Sequence, residues 1–150
     1  MELEDEIIIN APKDKVYAAL NNPEVLQKCI PGCEELIKHS DTELEAKVVL
    51  KVGPVKARFN GNVLLDPTGA PDAFSLTGKG NGGAAGYAKG GADVTLTANG
   101  ETTILRYTAK ADIGGKLVQL GSRLIQSTAK KLAAKFFSSF ATVVNEDVSV

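Results

Sequence analysis

The chain has 150 residues, enough for one domain, and its 17 basic and 18 acidic side chains leave a formal net charge of -1. This balance argues against a nucleic-acid protein that binds by bulk charge, and 43% hydrophobic residues exclude a disordered chain. Trp is absent, aromatic residues make up only 5% and glycines number 15, so the core must be built from aliphatic and small side chains.

The N-terminal segment predicts one strand followed by two short helices. Residues 3–10 carry the apolar run of a strand, and Pro12 stands where the first turn of a helix tolerates its missing N–H. Pro23 restarts the chain into a second short helix from Glu24 to Lys28, and the breakers Pro31-Gly32 end it. This order of elements places two short helices between the first strand and the rest of the sheet.

From Cys33 to Ile113, apolar and polar residues alternate with the period of antiparallel strands that bury one face. Asn99-Gly100 is a strong hairpin signal. The segment from Gly78 to Gly91 holds seven of the 15 glycines and formally contains G-x-G-x-x-G. No helix pattern follows that motif, so we interpret it as a bent hairpin rather than a nucleotide-binding loop. Inward-facing glycines would leave unfilled volume, which would be a pocket.

A long helix is predicted from Lys116 to Asn145, since apolar residues recur at helical spacing without an interrupting Pro, Asp or Glu. The helix must pack against the sheet. We therefore expect a single α+β domain over residues 1–150, with about seven antiparallel strands curled around it. Its charged residues are all basic and form either a solvated face or a docking face for an acidic protein or an anionic membrane: Lys116, Arg123, Lys130, Lys131 and Lys135.

Residue types that usually carry catalysis or bind metals are sparse. Cys29, Cys33 and the distant His39 fall short of the ligands that a structural zinc site needs. We interpret the two thiols as buried groups that pack a turn, with reversible oxidation as the open alternative. His39 lies in a polar hairpin tip and is expected to be exposed and idle. We therefore predict no catalytic residue, no metal and no cofactor.

Four segments form a combination that is specific in its order. They are Pro23–Leu26 leading to Cys29–Glu34, then Val52–Ala57, Gly82–Gly86 and Gly114–Ile125. Together they resemble the CoxG-like family of carbon monoxide dehydrogenase proteins, within the START-like (SRPBCC) superfamily. The resemblance implies a helix-grip fold with a hydrophobic cavity between sheet and helix. It also implies association with a molybdenum-containing carbon monoxide dehydrogenase or a related hydroxylase, by membrane recruitment or by carrying a quinone-like lipid.

We accordingly expect a non-catalytic accessory protein that binds a quinone or lipid. The side chains expected to line the cavity are Leu26, Ile30, Phe59, Leu76, Tyr87, Tyr107, Leu117, Leu120 and Leu124. Tyr87 and Tyr107 would offer hydroxyl groups to a ligand carbonyl. One alternative is a pure scaffold or assembly factor with a filled core, which would contact the enzyme through its basic helix. Another is a cyclase or hydrolase of the kind found elsewhere in the superfamily, which would need a polar group buried in the cavity.

The expected location is the cytoplasm, with peripheral contact to the inner face of the membrane. The first residues are acidic where a signal peptide would be basic, and no apolar run is long enough to span a bilayer. Some relatives carry an anchoring extension at the C-terminus. The sequence ends at Val150, directly after the predicted helix, and so we expect no such anchor.

Overall fold

The computed structural model describes the backbone of residues 1–148 and the side chains of residues 1–145. The strands within this part are β1 (Glu2–Ile9), β2 (Cys33–Ser40), β3 (Glu43–Val52), β4 (Val55–Asp66), β5 (Ala73–Asn81), β6 (Tyr87–Asn99) and β7 (Thr102–Gly114). The helices are α1 (Lys13–Leu20), α2 (Pro23–Cys29) and α3 (Ser122–Val148), and 3₁₀ segments cover Gly83–Ala85 and Gly115–Leu120. The C-terminal residues beyond Val148, including the expected end without an anchor, lie outside the described part.

The strands form one antiparallel sheet in the order β1-β7-β6-β5-β4-β3-β2. Because neighbouring strands run in opposite directions, their connections alternate between the two ends of the sheet. We define the glycine-rich end by the β3–β4, β5–β6 and β7–α3 connections, which are residues 53–54, 82–86 and 115–121. The opposite end contains the β1–α1, β2–β3, β4–β5 and β6–β7 connections, which are residues 10–12, 41–42, 67–72 and 100–101.

This architecture confirms the predicted α+β helix-grip fold, with two short helices after the first strand and a long C-terminal helix against the curved sheet. The predicted start of the long helix at Lys116 is wrong. Residues 115–120 form a 3₁₀ segment, and α3 begins only at Ser122. Gly121 separates the two with a φ of +89°, a conformation that side-chain-bearing residues avoid.

The starts of the two short helices follow from local chemistry. Pro12 lies in extended conformation immediately before α1, so its missing N–H leaves no helical hydrogen bond unmade. The side chain of Asn22 accepts a hydrogen bond from the backbone N–H of Glu24 at 2.9 Å, and Pro23 occupies the first helical position of α2. Both helices lie where the sequence predicts them, and α2 contacts α3 across the concave side of the sheet.

The best-packed core lies toward the opposite end. Its most deeply buried large side chains come from β1, α1, β7 and the C-terminal half of α3: Ile9, Val16, Leu105, Phe140 and Val144. Thr103 is the buried polar side chain of the described part, and its hydroxyl donates to the Ala11 carbonyl at 2.7 Å. This region holds α3 against the sheet, which positions the rest of the helix above the glycine-rich end.

Candidate functional site

Two apolar cavities lie side by side between the concave face of the sheet and α3. The glycine-end cavity has a volume of about 390 Å³, and its walls include Val52, Phe59, Ile113, Leu117 and Ile125. The central cavity has a volume of about 400 Å³, and its walls include Leu26, Leu36, Leu76, Tyr107 and Phe137. Ile30, in the connection between α2 and β2, contributes to the walls of both cavities, which are therefore adjacent.

The floor of the glycine-end cavity consists of small residues from neighbouring strands. Gly61 pairs with Gly80 across β4 and β5, Gly80 pairs with Ala88 of β6, and Ala111 of β7 extends the floor. A Cβ atom built on Gly80 would meet no heavy atom within 4 Å. The cavity therefore exists because the sequence places no side chain there, which confirms the predicted consequence of an inward-facing glycine at this position.

Other glycines close the same end by allowing the backbone to pack tightly. A Cβ atom on Gly86 would lie 2.3 Å from the carbonyl oxygen of Gly114, and Gly86 also has a φ of +125°. A Cβ atom on Gly82 would lie 2.5 Å from the ring of Phe59. The glycine-rich segment is thus a bent hairpin, as predicted. Part of it leaves space in the cavity, and part of it packs against the β7–α3 connection.

Polar side chains reach the central cavity where its wall meets the surface: Asn21, Lys38, Asp41, Thr42 and Tyr107. The ammonium group of Lys38 donates to the carbonyl oxygen of Asn21 at 3.3 Å, which joins β2 to the turn between α1 and α2. Among the side chains described, the buried polar one is Thr103, and it lines neither cavity. The interior of the site therefore offers apolar surface rather than a cluster of reactive groups.

A lateral cleft between β1 and α3 opens beside the central cavity. Leu3, Tyr107 and Phe137 line both the cleft and the cavity. The rings of Tyr107 and Phe137 stack with their centroids 5.3 Å apart. Burial, and secondarily the charge of Asp5, raises the pKa of Tyr107, because Asp5 lies directly across from it in the β1–β7 register. The phenol therefore stays protonated at neutral pH and can donate a hydrogen bond.

Six of the side chains predicted to line the cavity do so: Leu26, Ile30, Phe59, Leu76, Tyr107 and Leu117. Tyr87 does not, because it lies on the outer face of the sheet and is 55% exposed. Leu124 packs instead against the turn at Gly53, and Leu120, in the 3₁₀ segment, is also absent from the walls of both cavities. The placement of these three residues by sequence is corrected accordingly.

Alternation along β6 contains the signal that places Tyr87 correctly. Ala88, Ala92 and Val94 line the cavities, so residues of even number in this strand face inward and Tyr87 faces outward. The small floor residues Gly61 and Ala111 were also missed. Small residues carry little hydrophobic signal of their own, and only their register with neighbouring strands shows that they share one floor.

The five basic residues that were predicted to contact a partner or membrane are all exposed: Lys116, Arg123, Lys130, Lys131 and Lys135. No ion pair is formed by any of them with the side chains of residues 1–145. Arg123, Lys130 and Lys131 surround a shallow depression on the outer face of α3. Lys116 instead lies in the 3₁₀ segment, so the five residues do not form one helical face.

The cysteines and the histidine have ordinary surroundings. Cys29 is buried, Cys33 is half-buried, and burial raises the pKa of both free thiols, so neither is an activated nucleophile. His39 is exposed, with its Nε2 atom 2.7 Å from Oε2 of Glu45. Over the described residues, no three His, Cys, Asp or Glu side chains cluster as a metal site would require. The helices in this part lack the combination of length and apolar composition needed to cross a membrane.

Comparison with known proteins supports the family and the fold. A sequence model of the carbon monoxide dehydrogenase CoxG family matches residues 6–145. No curated protein has a sequence that matches the chain significantly. A conserved protein from Geobacillus kaustophilus has a similar structure, with 26% sequence identity, a TM-score of 0.90, and coverage of 97% of this chain and 96% of that chain.

Two more distant structures share the fold alone. The Zhui aromatase/cyclase from Streptomyces sp. R1128 is 12% identical, with a TM-score of 0.72 and coverage of 99% of this chain and 95% of that chain. The STAR-related lipid transfer protein from Xanthomonas axonopodis is 18% identical, with a TM-score of 0.65 and coverage of 96% of this chain and 85% of that chain. Proteins with this fold thus include one described as an enzyme and one described as a lipid carrier.

Proposed function

The chain belongs to the CoxG family of carbon monoxide dehydrogenase proteins, and on this basis we propose that it is a non-catalytic accessory protein that binds a quinone or another lipid. It would serve a molybdenum-containing carbon monoxide dehydrogenase-type enzyme, by aiding membrane recruitment or by delivering quinone. We place it in the cytoplasm, in peripheral contact with the inner face of the membrane. The observation that carries the proposal is the pair of adjacent apolar cavities above a floor of small residues.

The size and chemistry of the two cavities suit an elongated apolar molecule. Ligand sites commonly have volumes of about 300–1,000 Å³, and each cavity falls within this range. Burial of apolar ligand surface would supply the binding free energy at about 25 cal/mol per Å². The Tyr107 hydroxyl, at the edge of the central cavity, would donate to a carbonyl oxygen of the ligand. The absence of buried polar side chains from the described cavity walls supports carriage over catalysis.

Filling the glycine-end cavity tests the proposal. A leucine in place of Gly80 would project into open space, so Gly80→Leu should fold and should reduce the affinity for quinone by roughly tenfold or more. Lys79→Leu adds a leucine at the neighbouring position, which is exposed, and should bind as the wild type does. Binding is measured as the rise in Tm on adding short-chain ubiquinone or menaquinone.

Protein purified from its native host supplies the second measurement. Native mass spectrometry should find a lipid or quinone on the wild type and less of it on Gly80→Leu. The carrier function would be contradicted by wild-type protein that holds no lipid and whose Tm does not respond to added quinones.

A scaffold that contacts the dehydrogenase directly is the second candidate, and the exposed basic side chains of α3 favour it. Arg123, Lys130 and Lys131 present positive charge that is not neutralised by the side chains of residues 1–145. Lys130→Glu with Lys131→Glu should then abolish co-purification with the enzyme while quinone binding stays intact. If the scaffold is the whole function, Gly80→Leu should leave assembly with the enzyme unchanged.

A further inference from the structure

Charge is distributed unevenly between the two ends of the sheet. Residues 46–65, 73–92 and 113–145 contain the connections of the glycine-rich end, and none of these segments includes an Asp or Glu. The connections of the opposite end are flanked by or contain acidic residues, among them Asp14, Asp41, Asp66, Asp72 and Glu101. The near-neutral net charge therefore conceals a separation of charge along the axis of the cavities.

The cations of the glycine-rich end are exposed and come from three separate parts of the chain. Lys51 and Lys56 pair across the β3–β4 hairpin, Lys116 lies in the 3₁₀ segment, and Arg123 lies in the first turn of α3. No ion pair is made by these four groups within the described side chains.

Acidic residues near this end are already neutralised or matched. Glu34 lies 3.0 Å from Arg58, Glu35 lies 3.3 Å from Lys47, and Glu2 lies 3.8 Å from Lys110. Asp112 lies directly across from Lys89 in the β6–β7 register. The charge left over at the glycine-rich end is therefore positive.

Two large apolar side chains are exposed at the same end. Val118 in the 3₁₀ segment is 53% exposed, and Tyr87 at the start of β6 is 55% exposed. Tyr87 lies over Gly114, where an added Cβ atom would fall 2.2 Å from its ring, so the ring covers the beginning of the β7–α3 connection. An apolar side chain and an amphipathic ring surrounded by cations are what the interface of an anionic membrane attracts.

The glycine-end cavity lies directly behind this surface. Val52, Leu117 and Ile125 of its walls belong to, or lie next to, the connections that carry the exposed cations. An apolar ligand that leaves the cavity through this end would emerge between Val118 and the β3–β4 hairpin. A bilayer placed there would receive the ligand without exposing it to water.

We infer that the glycine-rich end docks on an anionic lipid bilayer. Val118 and Tyr87 would sit at the level of the headgroups, and Lys51, Lys56, Lys116 and Arg123 would contact anionic lipids around them. The inference deepens the proposed function, on which it rests for ligand exchange, by naming the surface through which the protein meets the membrane. It assigns the membrane contact to this end rather than to the outer face of α3.

Co-sedimentation of the full chain with vesicles tests the inference. We expect binding to vesicles that contain phosphatidylglycerol, weaker binding in high salt, and little binding to phosphatidylcholine alone. Lys51→Glu with Lys56→Glu should weaken binding by roughly tenfold or more, and Val118→Asp should weaken it as well. Lys131→Glu with Lys135→Glu reverses the same number of charges on α3 and should leave binding unchanged. Far-ultraviolet circular dichroism and Tm values confirm that each variant is folded.

Several results would overturn the inference. These are equal binding to neutral and anionic vesicles, a loss in the α3 variant as large as that in the hairpin variant, or no binding by the wild type. The proposed function is tested separately by the quinone-induced rise in Tm in the absence of vesicles. Wild-type protein that takes up quinone but ignores anionic vesicles contradicts only the docking inference, whereas protein that binds vesicles but no quinone contradicts only the carrier function.

Discussion

The two ends of the molecule use the same sheet and the same helix for different purposes. At the opposite end, Ile9, Val16, Leu105, Phe140 and Val144 are at most 1% exposed, and little space remains between sheet and helix. At the glycine-rich end, small residues form the floor and a cavity of about 390 Å³ remains. The difference shows how side-chain size along continuous strands can separate stability from binding, because a well-packed end can hold α3 in place above a hollow one.

Polar contacts increase the contrast between the two ends. At the opposite end, Lys13 of α1 forms an ion pair with Asp72 of the β4–β5 connection, and the hydrogen bond to Asp72 raises the pKa of Lys13. At the glycine-rich end, the exposed cations Lys51, Lys56 and Lys116 remain without such partners in the described part. Charge at the opposite end thus joins two elements of the protein, whereas charge at the glycine-rich end is available to another surface.

Removing the ring of Phe140 should have the largest effect on this comparison. Phe140 is fully buried, so Phe140→Ala should lower the free energy of unfolding by about 3–5 kcal/mol. Chemical denaturation measures the change. Tyr87→Ala, at a residue exposed on the outer face, is the control and should change the value by less than about 0.5 kcal/mol. Equal losses in the two variants would contradict the assignment of stability to the opposite end.

Breaking the buried hydrogen bond at the opposite end should have the next largest effect. Thr103→Val keeps the shape of the side chain but leaves the Ala11 carbonyl without its donor, which should cost about 1–3 kcal/mol of unfolding free energy. Thr108→Val, on an exposed position of the same strand, provides the matched comparison in urea denaturation. An equally small change in both variants would show that solvent reaches the Ala11 carbonyl.

Adding a methyl group at the glycine-rich end should separate its hollow part from its packed part. Gly80→Ala should raise the unfolding free energy by about 0.4–1 kcal/mol, because the methyl group enters open space and the unfolded chain loses freedom. Gly86→Ala should lower it, since the new Cβ would lie 2.3 Å from the Gly114 carbonyl oxygen. The Tm values of the two variants measure the difference, and a fall in both would mean that no space exists at Gly80.

The smallest expected effect concerns pH and the central cavity, between the two ends. Because the pKa of Tyr107 is raised above the ordinary 10.0, the folded state keeps its proton longer than the unfolded state does. The stability contributed by the neutral phenol is therefore fully present below about pH 10 and is lost as pH rises from there through the raised pKa. Tyr107→Phe should remove this part of the dependence of Tm on pH.

Replacing the nearby charge resolves the two causes of that shift. Asp5→Asn should lower the pKa of Tyr107 only in part, since burial is the larger cause. Ultraviolet titration of the phenolate measures it. A full return of the pKa to the ordinary value in Asp5→Asn would mean that the carboxylate alone is responsible.

Much of the fold could be predicted because its signals are local. The alternation along β3 and β7 requires only that each strand bury one face, and the apolar spacing of α3 requires only that a helix bury one side. Errors arose where the outcome depended on distant residues. The 3₁₀ segment before α3 lies against the Gly83–Ala85 turn, and this packing between separate segments is invisible in the helical periodicity.

Local patterns in the chain were sufficient to establish which strands alternate, where the glycines interrupt them, and that a curved sheet would surround one long helix. The packing of the strands was needed to bring Gly61, Gly80, Ala88 and Ala111 onto one floor, and to turn Tyr87 outward. Folding also gathered cations from three segments at one end. The physical reason is that periodicity is a property of one element, whereas cavity volume and surface charge arise from the register and distance between elements.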